Sequence, residues 1–118
     1  MTECKRSPCP VACVLDIFGD KWTLLVVRDL LFGKHTFKAF QESPEKIPSN
    51  ILADRLKRLE QAGVVVRKVY QERPRRYAYY LTDKGKELGT VMRSMVKWAN
   101  KYIPETYDLK TIRGMLKE

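Results

Sequence analysis

The chain has 118 residues, of which 44% are hydrophobic, so we expect one domain with a single buried core and exclude a disordered chain. Its formal net charge is +9 and its isoelectric point is near 9.6, an excess that favours a polyanionic partner. No apolar run approaches the roughly 20 residues of a membrane helix, and the polar first residues lead into no signal-peptide apolar segment, so we expect a cytoplasmic protein without a membrane partner.

Two helices are predicted in the first third of the chain. Proline suits a first helical turn, and the apolar spacing after it predicts a helix over residues 10–18. Asp20 is a suitable N-cap for a second helix that ends at Gly33. The apolar residues of this second helix leave only a narrow polar strip with Arg28 and Asp29. We therefore expect it to lie at the centre of the core.

A short helix, a break and an amphipathic helix follow, which is the helix-turn-helix pattern. Thr36 is the predicted cap of the short helix over residues 37–43, and the break reads "PEKIP". Ser49 then caps a helix of about four turns, which Gly63 ends. Three leucines at positions i, i+4 and i+7 form its apolar stripe: Leu52, Leu56 and Leu59.

A β-hairpin is predicted next, because two β-branched and aromatic runs, "VVVRKVY" and "YAYYLT", flank the segment "QERPRR". A hairpin directly after a helix-turn-helix makes a winged helix, whose second helix enters the DNA major groove. The tip holds Arg73, Arg75 and Arg76, which suit phosphate contact or insertion into a narrow minor groove. Because Pro74 stiffens the tip, we favour a DNA contact over an ordinary solvated turn.

The end of the chain is predicted to serve dimerisation. Thr82 or Asp83 caps a long helix over residues 84–103, Pro104 ends it, and a short helix follows over residues 108–118. The apolar stripe of the long helix is longer than one small core can cover. We therefore favour a second copy of the chain as its partner over the core of the same domain.

The predicted fold is α+β: a winged helix-turn-helix with additional N- and C-terminal helices that form a dimer interface. One domain spans residues 1–118, and the dimerisation helices lie in residues 83–118. The interface candidates are Val11, Leu15, Met92, Met95, Trp98 and Tyr102.

The basic excess is concentrated in the middle of the chain, where residues 49–86 contain 10 Lys/Arg and 4 Asp/Glu. A charged helix face is often only solvated, but the position of this one between a short capped helix and a basic hairpin favours double-stranded DNA as the partner. The candidate DNA-binding residues are Thr36, Lys38, Ser49, Asn50, Asp54, Arg55, Lys57, Arg73, Arg75 and Arg76.

Some charged residues have more than one interpretation. Asp54 would repel phosphate, so it would accept from a cytosine amine or pair with a neighbouring arginine. Arg55 lies at the edge of the leucine stripe, where it would contact phosphate or form a salt bridge to Glu60 or Asp54. Lys34, like Lys38, is a further candidate for phosphate contact.

The chemically reactive residues do not predict an enzyme. The single histidine, His35, is expected at the surface and leaves no Ser-His-Asp set, and three cysteines do not complete a zinc site. We expect no catalytic residue, metal or cofactor.

Cys13 is predicted as a small core residue. Cys9 lies at a helix N-terminus, where the helix dipole and the nearby Lys5 and Arg6 favour the thiolate, although a thiol enzyme would lack a resolving C-x-x-C pair.

Four stretches, "CPVACVLDIFGDKWTLLVVRDLLFG", "TFKAF", "ILADRLKRLEQAGVVVRKVY" and "RPRRYAYYLTDKGKEL", occur in this order, and a tryptophan, Trp98, follows them. Together they resemble the HxlR-type transcription regulators, relatives of the MarR group of bacterial and archaeal winged-helix proteins. The resemblance covers residues 9–98 and implies a homodimer that binds a pseudo-palindromic operator through an interface of the first and last helices. It also suggests sensing of oxidants or electrophiles at Cys9; the alternative is a helix start without chemistry.

One departure from the family pattern concerns base preference. Members commonly have Ser at the cap of the recognition helix and Lys or Arg two residues later, where this chain has Pro48 and Asn50. Asn suits a bidentate contact with adenine, so the departure changes the expected base preference and not the docking in the groove. The operator, a small-molecule or oxidant effector, and repression or activation stay open, as does a winged helix that binds protein or RNA.

Overall fold

A computed structural model describes residue 4 and residues 6–116, without the side chains of residues 115 and 116. The helix-turn-helix is a pair of helices in the middle of the chain, and a two-stranded antiparallel wing follows it. The predicted α+β winged helix is confirmed. The elements are α1 (Pro10–Phe18), α2 (Thr23–Leu31), α3 (Phe37–Gln41), α4 (Ser49–Gln61), β1 (Val65–Glu72), β2 (Arg75–Leu81), α5 (Asp83–Lys86), α6 (Leu88–Tyr102) and α7 (Leu109–Leu116).

The core forms where the leucine stripe of α4 packs against α2. Leu52, Leu56 and Leu59 are at most 2% exposed, and Val26 and Val27 of α2 are buried to the same degree. Each aliphatic side chain of this size contributes roughly 1.5–3 kcal/mol when it leaves water. The helix is therefore held on the domain by one face, and its opposite face stays in solvent.

The polar strip of α2 is itself largely buried, since Asp29 is buried, and so is Lys34, which follows the helix. The hydroxyl of Ser43 lies between them: it donates to Asp29 Oδ2 at 2.6 Å and accepts from Lys34 Nζ at 2.9 Å. Two opposite charges are tolerated in the interior when they are hydrogen-bonded in this way. Lys34 is consequently not available for the phosphate contact that its sequence position suggested.

An ion pair holds the turn between α3 and α4 on α2. The guanidinium of Arg28 donates to both carboxylate oxygens of Glu45 at 2.8 Å and to Asp29 at 2.9 Å. The hydrogen bonds from Arg28 hold the pKa of the Glu45 carboxyl below its ordinary value, although burial opposes them. Because Glu45 lies in the turn just before α4, this pair helps to set the angle between α3 and α4.

The caps of the helix-turn-helix agree with the prediction at α3 and differ from it at α4. The hydroxyl of Thr36 accepts the N–H of Ala39 at 3.2 Å, so Thr36 caps α3 as predicted. Pro48, with φ −63° and ψ 146°, is the extended residue before α4, and Ser49 is already its first helical residue. The predicted Ser49 cap is wrong, because proline itself supplies the backbone geometry required before a helix. The Ser49 hydroxyl instead accepts from Gln41 Nε2 at 2.7 Å.

The long C-terminal helix that the sequence predicts is interrupted at Glu87, which separates α5 from α6. Thr82 caps α5 by accepting the N–H of Gly85 at 3.1 Å, and its hydroxyl donates to the Gly63 carbonyl at 2.7 Å. A Cβ atom on Gly85 would lie 2.3 Å from the Val64 carbonyl oxygen. Residues 79–85, "YYLTDKG", therefore dock α5 against the start of the wing.

We predict that Glu45→Gln lowers the free energy of unfolding at neutral pH and that this effect shrinks on acidification. The pKa of Glu45 is lowered in the folded state, so the pair with Arg28 stabilises the fold above the ordinary glutamate pKa of about 4.3. The stabilisation is lost as the pH falls through the lower folded-state pKa. Urea unfolding over a series of pH values measures the difference from the wild type.

The matched control is Glu42→Gln, which removes the same charge from an exposed residue at the end of α3. Its effect on the unfolding free energy should be small at every pH, because Glu42 forms no ion pair among the described residues, whereas Glu45 is paired with Arg28. A loss for Glu45→Gln that is equally large in acid and at neutral pH would contradict the assignment.

Candidate nucleic-acid interface

The outward face of α4 presents polar residues of the predicted DNA-binding set to solvent. Asn50, Asp54 and Lys57 are all exposed, and so is Arg58. Their direction follows from the burial of the leucines on the opposite face, because side chains three or four positions apart share one side of a helix. The structure thus brings a neutral amide, a carboxylate and two cations onto one exposed helix face.

Two arginines of α4 neutralise the carboxylate of Asp54. Arg58 Nε forms an ion pair with Asp54 Oδ2 at 3.0 Å, and Arg55 Nη1 donates to the same oxygen. This is the pairing with a neighbouring arginine that the sequence allowed as one interpretation of Asp54. Glu60, the other carboxylate considered for Arg55, pairs instead with Arg67 of β1 at 3.4 Å. Asp54 therefore does not leave the outward face negative.

Arg55 reaches towards the body of the domain. Its Nε donates to Asp20 Oδ2 at 2.9 Å, and its side chain is only 16% exposed. Two of its nitrogens bind carboxylates, so Arg55 forms salt bridges within the domain, as one of its two interpretations predicted, and is not directed towards phosphate. Among the candidates on α4, Asn50 and Lys57 are the side chains that project most freely.

The wing is longer and its tip shorter than the sequence predicts. The strands pair from Val65 opposite Leu81 to Glu72 opposite Arg75, so only Arg73 and Pro74, joined by a cis peptide bond, connect them. The segment "QERPRR" was expected to be all tip, but most of it belongs to the strands. Pairing continues through these polar residues because backbone hydrogen bonds, and not side-chain polarity, define a strand.

The predicted arginines of the wing remain exposed in this arrangement. Arg73 lies at the tip, and Arg75 and Arg76 lie at the start of β2. Arg75 Nη2 pairs with Glu72 at 3.3 Å, with both side chains well exposed, and such a surface pair is weak. The three guanidiniums are therefore gathered at one end of the hairpin, where they are accessible to an anionic partner.

His35 anchors the wing to the connection between α2 and α3. Its backbone carbonyl accepts the N–H of Tyr79 at 2.7 Å, and its Nδ1–H donates to the Tyr79 carbonyl at 2.8 Å. Its ring also stacks on Tyr80, with ring centroids 4.4 Å apart. His35 lies at the turn before α3, where a surface position was expected, but the hairpin folds back over it and half-buries it.

The remaining candidates of the helix-turn-helix differ in availability. The hydroxyls of Thr36 and Ser49 are engaged inside the domain, by the amide of Ala39 and by Gln41. Lys38 on α3 is exposed. The outer surface of α3 therefore offers one cation beside α4.

Basic residues of β1 that are absent from the sequence-based candidates adjoin this surface. Arg67 lies over the ring of Tyr77 at 4.2 Å, and Lys68 lies 5.4 Å from the ring of Tyr80. Both are exposed. Residues 66–70 of β1 are all exposed, so the alternation expected of a half-buried strand gave no signal for these two residues.

The N-terminal segment contains a disulfide and a free thiol. Cys13 is bonded to Cys4, with Cα atoms 4.7 Å apart, so its prediction as a small core residue is wrong. Cys9 is free and exposed, immediately before the first residue of α1. Arg6, which was expected to favour the Cys9 thiolate, is paired with Asp16 at 2.9 Å, and Lys5 lies outside the described residues.

Large apolar side chains are exposed on α1 and α6. The exposed fraction is 66% for Val11 of α1 and 60% for Trp98 of α6. Most of the other predicted interface residues are also exposed, namely Leu15, Met95 and Tyr102. Met92 departs from the prediction, since it is half-buried against its own domain while Val91 is exposed.

Over the described part of the chain, no group of three or more His, Cys, Asp or Glu residues could hold a metal ion. No described helix has both the length and the apolar character required to cross a bilayer.

A short capped helix, a helix buried by one face and a hairpin docked behind it define the winged helix-turn-helix class, in which the second helix enters the major groove of DNA. The family model described as HxlR-like helix-turn-helix matches residues 17–107 of the chain. The protein belongs to this family.

Relatives and solved structures agree with this assignment. The chain is 38% identical to the HTH-type transcriptional regulator YvaP of Bacillus subtilis (strain 168) over 93 residues, which cover 79% of this chain and 86% of the relative. It is 36% identical over 98 residues to YodB of the same organism, with 82% and 88% of the two chains covered. The redox regulator HypR in its reduced form superposes with a TM-score of 0.72 and 32% identity, over 83% of this chain and 99% of that structure.

The coarse function follows from these findings. The family consists of DNA-binding transcriptional regulators, so the chain is a transcriptional regulator and not an enzyme.

Proposed function

We propose that the protein binds a pseudo-palindromic DNA operator as a homodimer, with α4 in the major groove and the wing against the backbone. The observation that carries this proposal is the shared exposure of the α4 face and of the wing arginines on adjacent elements. They lie within residues 49–86, which hold 10 Lys/Arg against 4 Asp/Glu. A winged helix that binds protein would not require a basic hairpin placed beside the recognition helix in this way.

Each part of the surface has a separate role in the proposal. Asn50, on the first turn of α4, reads a base edge, and its amide suits the paired donor and acceptor of adenine. Lys57, further along the helix, and Lys38 on α3 bind phosphate. The three wing arginines contact backbone phosphates or enter the minor groove.

The proposed dimer interface is formed by α1 and α6. Trp98 and Tyr102 are 60% and 59% exposed, and their rings lie 5.4 Å apart. Val11 and Leu15 add an exposed apolar face on α1. Large exposed apolar side chains on two helices commonly mark an interaction site, and a two-fold axis at such an interface matches the two halves of an inverted repeat.

Sensing of oxidants or electrophiles at Cys9 is the regulatory part of the proposal. It is supported by the exposure of this free thiol at the N-terminal end of α1, one of the proposed dimerisation helices. Among similar solved structures, HypR is described as a redox regulator, and YodB has diamide-treated and quinone-bound forms. Modification of Cys9 would place new bulk at the start of α1 and thereby disturb the dimer that holds the two recognition helices.

Selection of bound sequences from a random duplex pool tests the proposed function. We expect an inverted repeat whose half-site centres are about 34–36 Å apart, which is one turn of B-DNA. Sedimentation of the protein with and without the selected duplex should show two chains per DNA. Binding without any preferred sequence, or one chain per duplex, would contradict the proposal.

Replacement of Arg75 and Arg76 by Ala should weaken binding to the operator and to random DNA by similar factors. Each phosphate contact that is lost should flatten the slope of log affinity against log salt by about 0.9. Fluorescence anisotropy over a salt series measures both quantities. The matched control replaces two cations of α6, Arg93 and Lys97, and should leave the slope unchanged; an unchanged slope for the wing variant would remove the wing from the interface.

Treatment with a quinone or with diamide should release the wild-type protein from its operator. Cys9→Ser should stay bound, because a serine hydroxyl does not react with these reagents. A variant in which Cys4 and Cys13 are both serine is the control, and it should still be released. Release measured by gel shift that is equal for the wild type and Cys9→Ser would exclude Cys9 as the sensor.

A further inference from the structure

Asp20 connects the turn after α1 with the recognition helix. Its carboxylate accepts the N–H groups of Trp22 at 3.0 Å and Thr23 at 3.1 Å, and also the Thr23 hydroxyl. The residue directly before α2 is Trp22, so the predicted Asp20 N-cap is wrong, but the Asp20 carboxylate still binds the amides at the start of this helix. The same carboxylate accepts Arg55 Nε of α4 at 2.9 Å. One side chain therefore joins α2 to α4 by directional bonds, 35 positions apart in the chain.

A line of alternating charges continues from this point to the exposed face of α4. Arg55 pairs with Asp54, and Asp54 pairs with Arg58 one turn further along the helix. The Arg55 side chain is 16% exposed, whereas that of Arg58 is 54% exposed. The line thus begins inside the domain and ends among the residues proposed to face DNA.

We propose that Asp20 is a positioning residue for DNA recognition, which acts by holding the guanidinium of Arg55 away from phosphate and by fixing α4 on α2. This inference rests on the proposed function and deepens it. Asp20 itself does not contact DNA in this arrangement. It directs Arg55, which in turn keeps Asp54 neutralised beside Asn50.

The chemistry of arginine explains why one carboxylate has this effect. The guanidinium is planar, and bonds from two of its nitrogens to two carboxylates fix the orientation of that plane. Without Asp20, Arg55 would be a mobile cation at the edge of the DNA-binding face. Such a cation binds the phosphates of any sequence equally well, so it raises the affinity for random DNA. The operator does not gain to the same extent, because α4 is then no longer fixed on α2 and the base contact of Asn50 is less well aligned.

Asp20 stays ionised over the physiological pH range. Burial alone would raise the pKa of its carboxyl, but the hydrogen bonds from Thr23, Arg55 and the amide of Trp22 outweigh burial and hold the pKa well below its ordinary value. The ion pair with Arg55 is therefore present whenever the folded protein meets DNA.

The variant that isolates this role is Asp20→Asn. Asparagine is as good an N-cap as aspartate, so the amide can still accept from the start of α2 while the ion pair with Arg55 is lost. The matched control is Asp16→Asn, which removes the same charge from α1, where Asp16 pairs with the exposed Arg6. The measurements are the affinities for the selected operator and for a random duplex over a salt series.

We expect Asp20→Asn to reduce the ratio of operator affinity to random-duplex affinity by about tenfold, the size of one mismatched base pair. Its salt slope on the random duplex should steepen by about 0.9, because the released Arg55 gains a phosphate. Asp16→Asn should retain the wild-type ratio. An unchanged ratio for Asp20→Asn, or an equal loss for Asp16→Asn, would overturn the assignment.

Arg55→Gln, alone and combined with Asp20→Asn, tests whether Asp20 acts through Arg55. In the Arg55→Gln background, Asp20→Asn should change neither the affinity ratio nor the salt slope further, because the positioned cation is already gone. Independent effects of the two substitutions would overturn the proposal.

Amide hydrogen exchange of the free protein provides a readout that does not involve DNA. Exchange over α4 should be faster in Asp20→Asn than in Asp16→Asn, at equal global stability in urea. Wild-type binding without sequence preference would contradict the proposed function, and would be recognised from the wild type alone. A different outcome would contradict only the role of Asp20. In that case the wild type would prefer the operator, but Asp20→Asn would change neither the hydrogen exchange over α4 nor the ratio of operator affinity to random-duplex affinity.

Discussion

The packing of the α4 leucines against α2 is the constraint on which the rest of the structure depends. Leu52, Leu56 and Leu59 are buried on one side of the helix, so α4 cannot rotate without exposing them to water. The outward direction of Asn50 and Lys57 follows from this burial and not from contacts of their own. A surface that reads base edges needs such a fixed direction, because hydrogen bonds weaken steeply when they are misaligned.

Polar contacts fix the turn before α4 and the position of the hairpin, which apolar packing does not fix. Burial sets the rotation of α4, but it does not by itself fix the turn before the helix or the hairpin behind it. The pair of Arg28 and Glu45 ties the turn to α2, and His35 ties the wing to the end of α2 through Tyr79. Because α2 or its flanking residues take part in each contact, this helix is the common reference for the parts of the proposed DNA-binding surface. These contacts therefore hold the turn before α4 and the base of the wing in place, while the outward face of α4 and the tip of the wing remain exposed.

The local pattern of the sequence predicted the winged helix, the Thr36 cap and the side of α4 that is buried. It failed where a residue's partner comes from a distant segment. Asp29 has the spacing of an exposed polar residue, yet it is buried because Ser43 and Arg28 supply hydrogen bonds. The wing strands extend through polar residues because pairing with the opposite strand decides their length. Cys13 was assigned to the core from residue type alone, and its partner Cys4 lies in the preceding segment.

The sequence by itself determined the order of elements, the apolar face of α4, the basic charge of the middle third and the resemblance to the family. These properties depend on residue types and spacing within one continuous segment. Only the tertiary structure decided which cations are free to meet a partner. In the sequence Lys34 and Arg55 look as available as Lys57, but the first is buried and the second is bound to Asp20 and Asp54. The physical reason is that availability depends on which carboxylates lie within hydrogen-bonding distance, and folding brings those carboxylates from other parts of the chain.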